Sequence, residues 1–188
     1  QMKKYIQYTK YLSRHIWFVR KACWNKGLYW QGLKHDWSKW LPVEFIPYAN
    51  FFYGYDTILN PDWTDGFTGM TTDTPKYIKV KRGKRDNTGY YKPTDTGDDK
   101  FEWAWFHHIK FNKHHWQYWS YAGDSGEIIL KPMPHKFRLE MLCDWWGASM
   151  AQGYGGKCKT WYEANKNKMQ LHSETRKWVE ENVSDNFF

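Results

Sequence analysis

Cysteine is scarce: Cys23, Cys143 and Cys158 are the only three in 188 residues. They are too few and too far apart for a disulfide framework or a cysteine-ligated zinc ribbon, and their use points to a reducing compartment. Long apolar runs are absent as well. No stretch approaches the roughly 18 residues of a membrane span, and "QMKKYIQYTKYL" at the start lacks the apolar core of a signal peptide. The expectation is a soluble, intracellular protein with no membrane partner. Valine, isoleucine and leucine are sparse, whereas 14 Trp, 14 Tyr and 11 Phe bring the aromatic share to 21%. The core must therefore be built from large rings with polar handles, and such rings can also line a substrate pocket.

Acidic charge is the remaining shortage. Twenty Asp and Glu face 28 Lys and Arg, for a formal charge of +8, which favours a phosphorylated small molecule or a nucleic acid as partner. The densest basic run, "KVKRGKRDNTGYYK", is equally explained as a solvated hairpin.

The length suits one domain spanning residues 1–188. Tyr5, Tyr8, Leu12, His15, Val19 and Ala22 follow a 3-4-3-4 spacing that predicts a helix over about 3–26, with His15 on its inward face and Gly27 placed to stop it. A second helical piece, about 28–37, carries His35 and Asp36. Ser38 and Pro42 suggest a cap and a restart into "PVEFIPYANFF". Residues 54–100 shift to Gly, Asp, Thr, Pro and Lys and read as an insertion or lid, within which "KYIKVKRGKRDNTGYYK" predicts a β-hairpin. Helix returns in "DKFEWAWFHHIKF", breaks near Asn112, and resumes in "NKHHWQYWSYA"; "GDSGEIILKPMP" is a loop. Pro134 opens a long helix, "HKFRLEMLCDWWGASMAQ". Its apolar stripe is Leu139, Leu142, Cys143, Trp146 and Met150, and Asp144 shares a neighbouring face with Glu140 and the small Gly147, Ala148 and Ala151, which permit close helix approach. Two short helices end the chain.

His15, His35, Asp36 and Asp144 are candidates for one metal centre, because inward positions on several helices converge on a point. Imidazole with carboxylate suits Mn, Fe, Co, Ni or Zn. Consecutive helical residues diverge by about 100°, so His35 and Asp36 need a helix end or kink to aim at one ion. The doublets of "WFHHIKFNKHHWQYW" stand seven residues apart, about 10 Å on a continuous helix, which suits two metals or a metal plus phosphate contacts; a break at Asn112 shortens that distance.

In this order, His15, His35-Asp36 in "HDWSK", His108, His114 or His115, and Asp144 in "EMLCDWWGAS", the chain resembles the HD-domain superfamily of metal-dependent phosphohydrolases. More narrowly, "KHDWSKWLPVEFIPYANFFYG", "HHIKFNKHHWQYW" and "MLCDWWGAS" are similar to a family frequent in phages and bacteria. That closer likeness covers nearly the whole chain outside residues 54–100 and brings a fold expectation but no activity. The superfamily resemblance implies an all-α, HD-like helical bundle in the cytoplasm of a bacterial or phage-infected cell. It also implies one or two divalent transition-metal ions held by His15, His35, Asp36 and Asp144, with Asp36 as bridge and His108 with His114 or His115 as second-site ligands; of each doublet, His108 and His115 are the chosen candidates. Lys39 matches the lysine of the HD-GYP signature, whereas some nucleotidase members carry an acid there; no GYP triplet follows the second doublet.

Each residue also has a plainer reading. His15 can be a hydrogen-bonded core histidine, and Asp144 can pair with Arg138 or a lysine. Catalytic candidates are Asp36, Lys39 and Glu44; Glu44 and Glu140 serve either as general acid or as support for a ligand, or else as ordinary salt-bridged helix residues. Lys39, Lys110, Lys113 and Arg138 are candidates for holding a phosphate. The resulting expectation is a phosphohydrolase acting on a nucleotide or other phosphate ester through a metal-activated water. Its rivals are a di-iron oxygenase on the same fold and a non-catalytic nucleotide- or nucleic-acid-binding protein.

Overall fold

The computed structural model describes residues 2–59, 75, 77–81, 83, 85–88 and 90–186. The first helix, α1 (Met2–Asn25), buries Tyr8, Leu12, His15, Val19 and Ala22, the face marked by the 3-4-3-4 spacing. It stops where Gly27 takes a φ of 75°, a conformation that glycine adopts without Cβ strain. Around α1 pack α2 (Tyr29–Lys34), α3 (Pro42–Tyr53) and, most extensively, α5 (His135–Gln152), while α4 (Asp99–Phe111) lies against α3. The tail forms α6 (Cys158–Asn165) and α7 (Ser173–Asn182). The fold is all-α with small two-stranded additions.

Two apolar clusters share α1. One joins Tyr8 and Leu12 to Tyr48, Phe51 and Phe101; the other joins Val19, Ala22 and Cys23 to Leu142, Cys143, Tyr162 and Val179. Rings dominate the first, with Phe51 and Phe101 stacked 3.7 Å apart. His15 lies between Leu12 and Val19 on the same buried face, at the junction of the two clusters.

Several local expectations are revised. Strand β2 (Tyr77–Lys81) pairs antiparallel with β1 (Tyr55–Leu59), Tyr55 opposite Lys81, and among the described residues that follow it none forms a strand with it; part of the expected insertion, residues 60–74, 76, 82, 84 and 89, lies outside the described residues. The helix expected after Asn112 reduces to a single 3-10 turn, Trp116–Trp119, leading into β3 (Ser120–Ala122). That strand pairs with β4 (Ile128–Leu130) across a turn in which Gly126 has a φ of 84°; the glycines at 123 and 126 favour a hairpin over a continued helix. Pro42 stands at the first position of α3, but Ser38 caps nothing: its hydroxyl donates to Glu44. On α5 the buried face is Glu140, Met141, Leu142, Cys143 and Gly147, with Leu139, Trp146 and Met150 half-buried. The helix is rotated from its expected stripe because its polar and small residues pack on the centre described next.

Candidate metal centre

Helix α2 ends at His35, and Asp36 follows with φ 54° and ψ 21°, in the left-handed region. Outside glycine this conformation costs about 1 kcal/mol or more, and aspartate is among the residues that tolerate it. The bend turns two adjacent side chains toward one centre, which a straight helix cannot do. Both are almost fully buried, His35 at 2% and Asp36 at 0% exposure.

Asp36 then divides its carboxylate between two sets of donors. On the Oδ2 side, His15 Nε2 lies at 3.2 Å and His35 Nε2 at 3.5 Å, and the same two nitrogens stand 3.2 and 3.3 Å from Asp144 Oδ1. On the Oδ1 side, His108 Nε2 and His114 Nε2 each lie at 3.4 Å, and His115 Nε2 is 2.8 Å from His108 Nε2. Ligands about 2.1 Å from a tetrahedral ion stand about 3.4 Å from one another, so the carboxylate–imidazole spacings of 3.2–3.5 Å match donors around a cation, while the 2.8 Å His108–His115 pair is closer. Within each quartet, His15–His35–Asp36–Asp144 and Asp36–His108–His114–His115, the donor atoms lie within 4.8 Å of one another. Asp36 Oδ1 and His114 Nε2 are buried without a hydrogen-bond partner. Two orphaned polar atoms aimed at one point fit the ligands of a cation, and both quartets can hold one.

Further carboxylates orient the imidazoles from behind. Glu140 Oε1 lies 3.3 Å from His35 Nδ1 and 3.4 Å from His114 Nδ1, so one side chain serves a histidine of each quartet. Glu44 accepts from His108 Nδ1 at 2.9 Å and from His107 Nδ1 at 2.6 Å, and is itself held by Ser38. With Nδ1 donating, the Nε2 lone pair of each of these ligands faces the centre. We expect Glu140→Gln to weaken metal affinity about 10- to 100-fold, read by competition with a chelating dye; unchanged affinity would show that Glu140 orients neither histidine.

The electrostatics favour a cation. Burial opposes ionisation of Asp36, yet His35, Lys39 and His108 outweigh it and hold the carboxyl well below the usual range. Asp144 is likewise held low, against burial, by its bonds from His15 and His35; Glu140 is lowered to about 2 by His114 and His35, again against burial. Lys39, whose Nζ is 2.6 Å from Asp36 Oδ2, stays charged despite its burial because Asp36 raises it. His35 is pushed up, its carboxylate neighbours outweighing burial. His108 and His115 are pushed well down, by burial first and then by Lys39 and His114 respectively, so both present the neutral imidazole that a metal binds.

These shifts fix a pH dependence. A histidine depressed in the fold protonates first in the unfolded chain, so His108 and His115 cost stability as pH falls below about 6.5. His35 works the other way, its contribution being lost as pH rises through its elevated value. The three depressed carboxylates hold their stabilisation until pH falls below about 4. The metal-free protein should therefore melt at lower temperature at pH 5 than at pH 7, and His115→Gln should flatten that slope; an equal slope in the variant would remove His115 from the account.

A cavity of about 640 Å³ reaches the centre, touching His15, Lys39, His114, His115 and Asp144. Its other walls bring Arg85, Tyr90 and Tyr91 from the segment after β2, Trp145 from α5, Trp161 from α6, and Lys157 and Lys168. Asp36 lies behind the wall, and Glu44 is a buried support outside the lining. Lys110, Lys113 and Arg138 also lie outside it. Lys110 donates to the Gln117 and Ser120 carbonyls, Lys113 sits over the Tyr118 and Phe137 rings, and Arg138 pairs with Glu174 over Trp178. The cavity's cations come instead from Lys39, Arg85, Lys157 and Lys168. His114 joins His115 in the second quartet, while His107 is half-exposed and stacks on Phe111.

Fold and site together define an all-helical protein with a buried histidine–carboxylate centre able to hold metal, and no helix among the described residues is long and apolar enough to cross a membrane. The model of DUF5662, a family of unknown function, matches residues 4–65 and 68–185, and the chain belongs to that family. No curated protein and no solved structure matches the chain.

Proposed function

We propose that the protein is a metal-dependent phosphohydrolase of the HD type, cleaving a phosphate ester or anhydride, with nucleotides as the substrate class. The observation that carries this reading is the divided Asp36 carboxylate, one oxygen toward each donor quartet, beside a cavity with four cations. Ions held by the quartets would make a water molecule a nucleophile near neutral pH and screen charge developing on the phosphoryl oxygens. The chain's own residues do the rest. Lys39, fixed against Asp36 and facing the cavity, is placed to hold a phosphoryl oxygen as a point charge. Arg85, Lys157 and Lys168 draw the anion in, and Trp145 and Trp161, 5.2 Å apart, offer a wall for a planar base. The order of ligands along the chain resembles the HD superfamily and supports the same chemistry.

The test is elemental analysis of protein purified without chelator, followed by phosphate release across a panel of nucleotides and phosphate esters with each of Mn, Fe, Co, Ni and Zn. Metal-dependent release without oxygen uptake is the expected result. Iron-dependent oxygen consumption with no phosphate release would replace the hydrolase with an oxygenase. Tight nucleotide binding that survives Asp36→Ala, with no turnover, would replace it with a binding protein.

A further inference from the structure

Helix α1 carries a second pattern that the core does not explain. Lys10, Arg14, Trp17, Lys21 and Trp24 repeat at a 4-3-4-3 spacing on the outward face, and every one is exposed. They form a stripe along a helix about 36 Å long. Six lysines and arginines and no carboxylate lie on α1, and within residues 2–40 the sole carboxylate is the buried Asp36. Helix α2 extends the surface with Trp30, 66% exposed, and Lys34, whose Nζ sits 5.2 Å from the centre of that ring. Lys21 stands 5.7 Å from the Trp17 ring, and the Trp24 indole is fixed by donation to the Tyr29 carbonyl at 3.2 Å. Exposed indoles on a short stretch of chain forgo the stabilisation of burial, and cations alternate with them where a soluble surface would mix both signs.

A helix that sinks into lipid presents a continuous apolar face. The apolar face of α1 is turned into the core, and its outward rings are separated by cations and by the polar Ser13 and Asn25. A nucleic-acid strand matches this alternation, since it offers a phosphate at every step and a base whose flat faces stack on indoles. In a duplex those faces are already stacked on neighbouring bases. We infer that the outer face of α1 and α2 binds single-stranded nucleic acid, with phosphates on Lys10, Arg14, Lys21 and Lys34 and bases on Trp17, Trp24 and Trp30. Arg14 also donates to the Met150 carbonyl of α5 at 3.5 Å and lies over the Phe18 ring, which holds it at the edge of the stripe next to α5. The surface shares no residue with either quartet, so it stands or falls apart from the hydrolase reading.

The test is fluorescence anisotropy of a labelled oligothymidylate of about 20 nucleotides, with chelator present so that no cleavage intervenes. With four phosphate contacts on a single strand, affinity should fall about 50-fold between about 50 and 200 mM salt. Trp17→Ala with Trp24→Ala should weaken binding about tenfold or more, and Lys21→Glu should weaken it too. Lys131→Glu, an exposed cation beside the β3–β4 hairpin, makes the same change in net charge and should leave affinity within about twofold of the parent. Circular dichroism confirms that each variant is folded. The inference is overturned if the strand does not bind at low salt, or if Lys131→Glu weakens it as much as Lys21→Glu. It is also overturned if phosphatidylserine vesicles are bound and the oligonucleotide is not.

Discussion

Asp36→Ala should strip metal from both quartets at once and, under the proposed hydrolase reading, lower phosphate release about a thousandfold or more, a loss of ~4 kcal/mol of transition-state stabilisation. The size of the effect follows from the shared carboxylate: Oδ2 faces His15 and His35 while Oδ1 faces His108 and His114. Asp144 offers a contrast, because it belongs to the first quartet alone. Asp144→Ala should cost one ion and leave the second held by Asp36, His108, His114 and His115. Elemental analysis of the two purified variants reads the difference directly. Asp36→Ala also leaves Lys39 buried beside imidazoles without its carboxylate, and breaking a buried pair costs about 3–5 kcal/mol. Asp36→Asn keeps the shape and should be better folded than the alanine variant while remaining metal-poor. Retention of the parent's full metal content by Asp36→Ala would refute the two-quartet centre.

Much of that centre could be read in the sequence, for physical reasons that differ from ligand to ligand. His15 is legible because a 3.6-residue period fixes which face of α1 is buried, and His15 falls on it. The need for a bend between His35 and Asp36 is legible from helix geometry, but its form is not. A left-handed φ is signalled by glycine, and aspartate merely permits it. Which histidine of each doublet points inward depends on backbone that pattern alone leaves open. On α4 the regular helix sends His108 into the centre and leaves His107 half-exposed at its edge, bonded to Glu44 from behind. After Asn112 the helix stops, and extended backbone at His115, with φ −80° and ψ 129°, lets His114 and His115 both reach the same point. A helix through that stretch would have separated them by about 100°.

Lys110, Lys113 and Arg138 show the opposite limit. Nearness in sequence to a ligand is poor evidence of nearness in space on a helix, where a step of two or three residues turns the side chain to another face. The cavity draws its cations from Arg85, after a strand whose partner lies upstream, and from Lys157 and Lys168 near α6. Long-range packing decides such placement, and no local pattern carries it. The strand pairing is of the same kind: alternation in "YIKVK" marks a strand but does not say which other strand completes its ladder.

Gly147→Ala should destabilise the protein and loosen the metal centre together. A Cβ at this position would overlap the Val19 Cγ2 methyl and stand 2.9 Å from the Val19 backbone nitrogen, so α5 and α1 must separate to admit it. Overpacking of this kind costs about 1–3 kcal/mol, which in a chain of this size lowers the melting temperature by roughly 3–10 °C. The chemistry follows because of where the contact sits. Val19 is one turn beyond His15 on α1, and Gly147 is nearly one turn beyond Asp144 on α5, so this close contact adjoins the His15–Asp144 pair, 3.2 Å apart. Pushing the helices apart pulls two ligands of the first quartet away from each other, whereas none of the second quartet's own ligands, Asp36, His108, His114 and His115, lies on α5, which reaches that quartet only through Glu140 behind His114. Gly147→Ala should therefore lose more affinity at the first site than at the second, seen as biphasic metal uptake in calorimetry. Val19→Ala removes the overlapping methyl, and the double variant should recover part of both losses. If Gly147→Ala melts lower but binds both ions as the parent does, helix spacing and ligand geometry are not coupled in the way this contact requires.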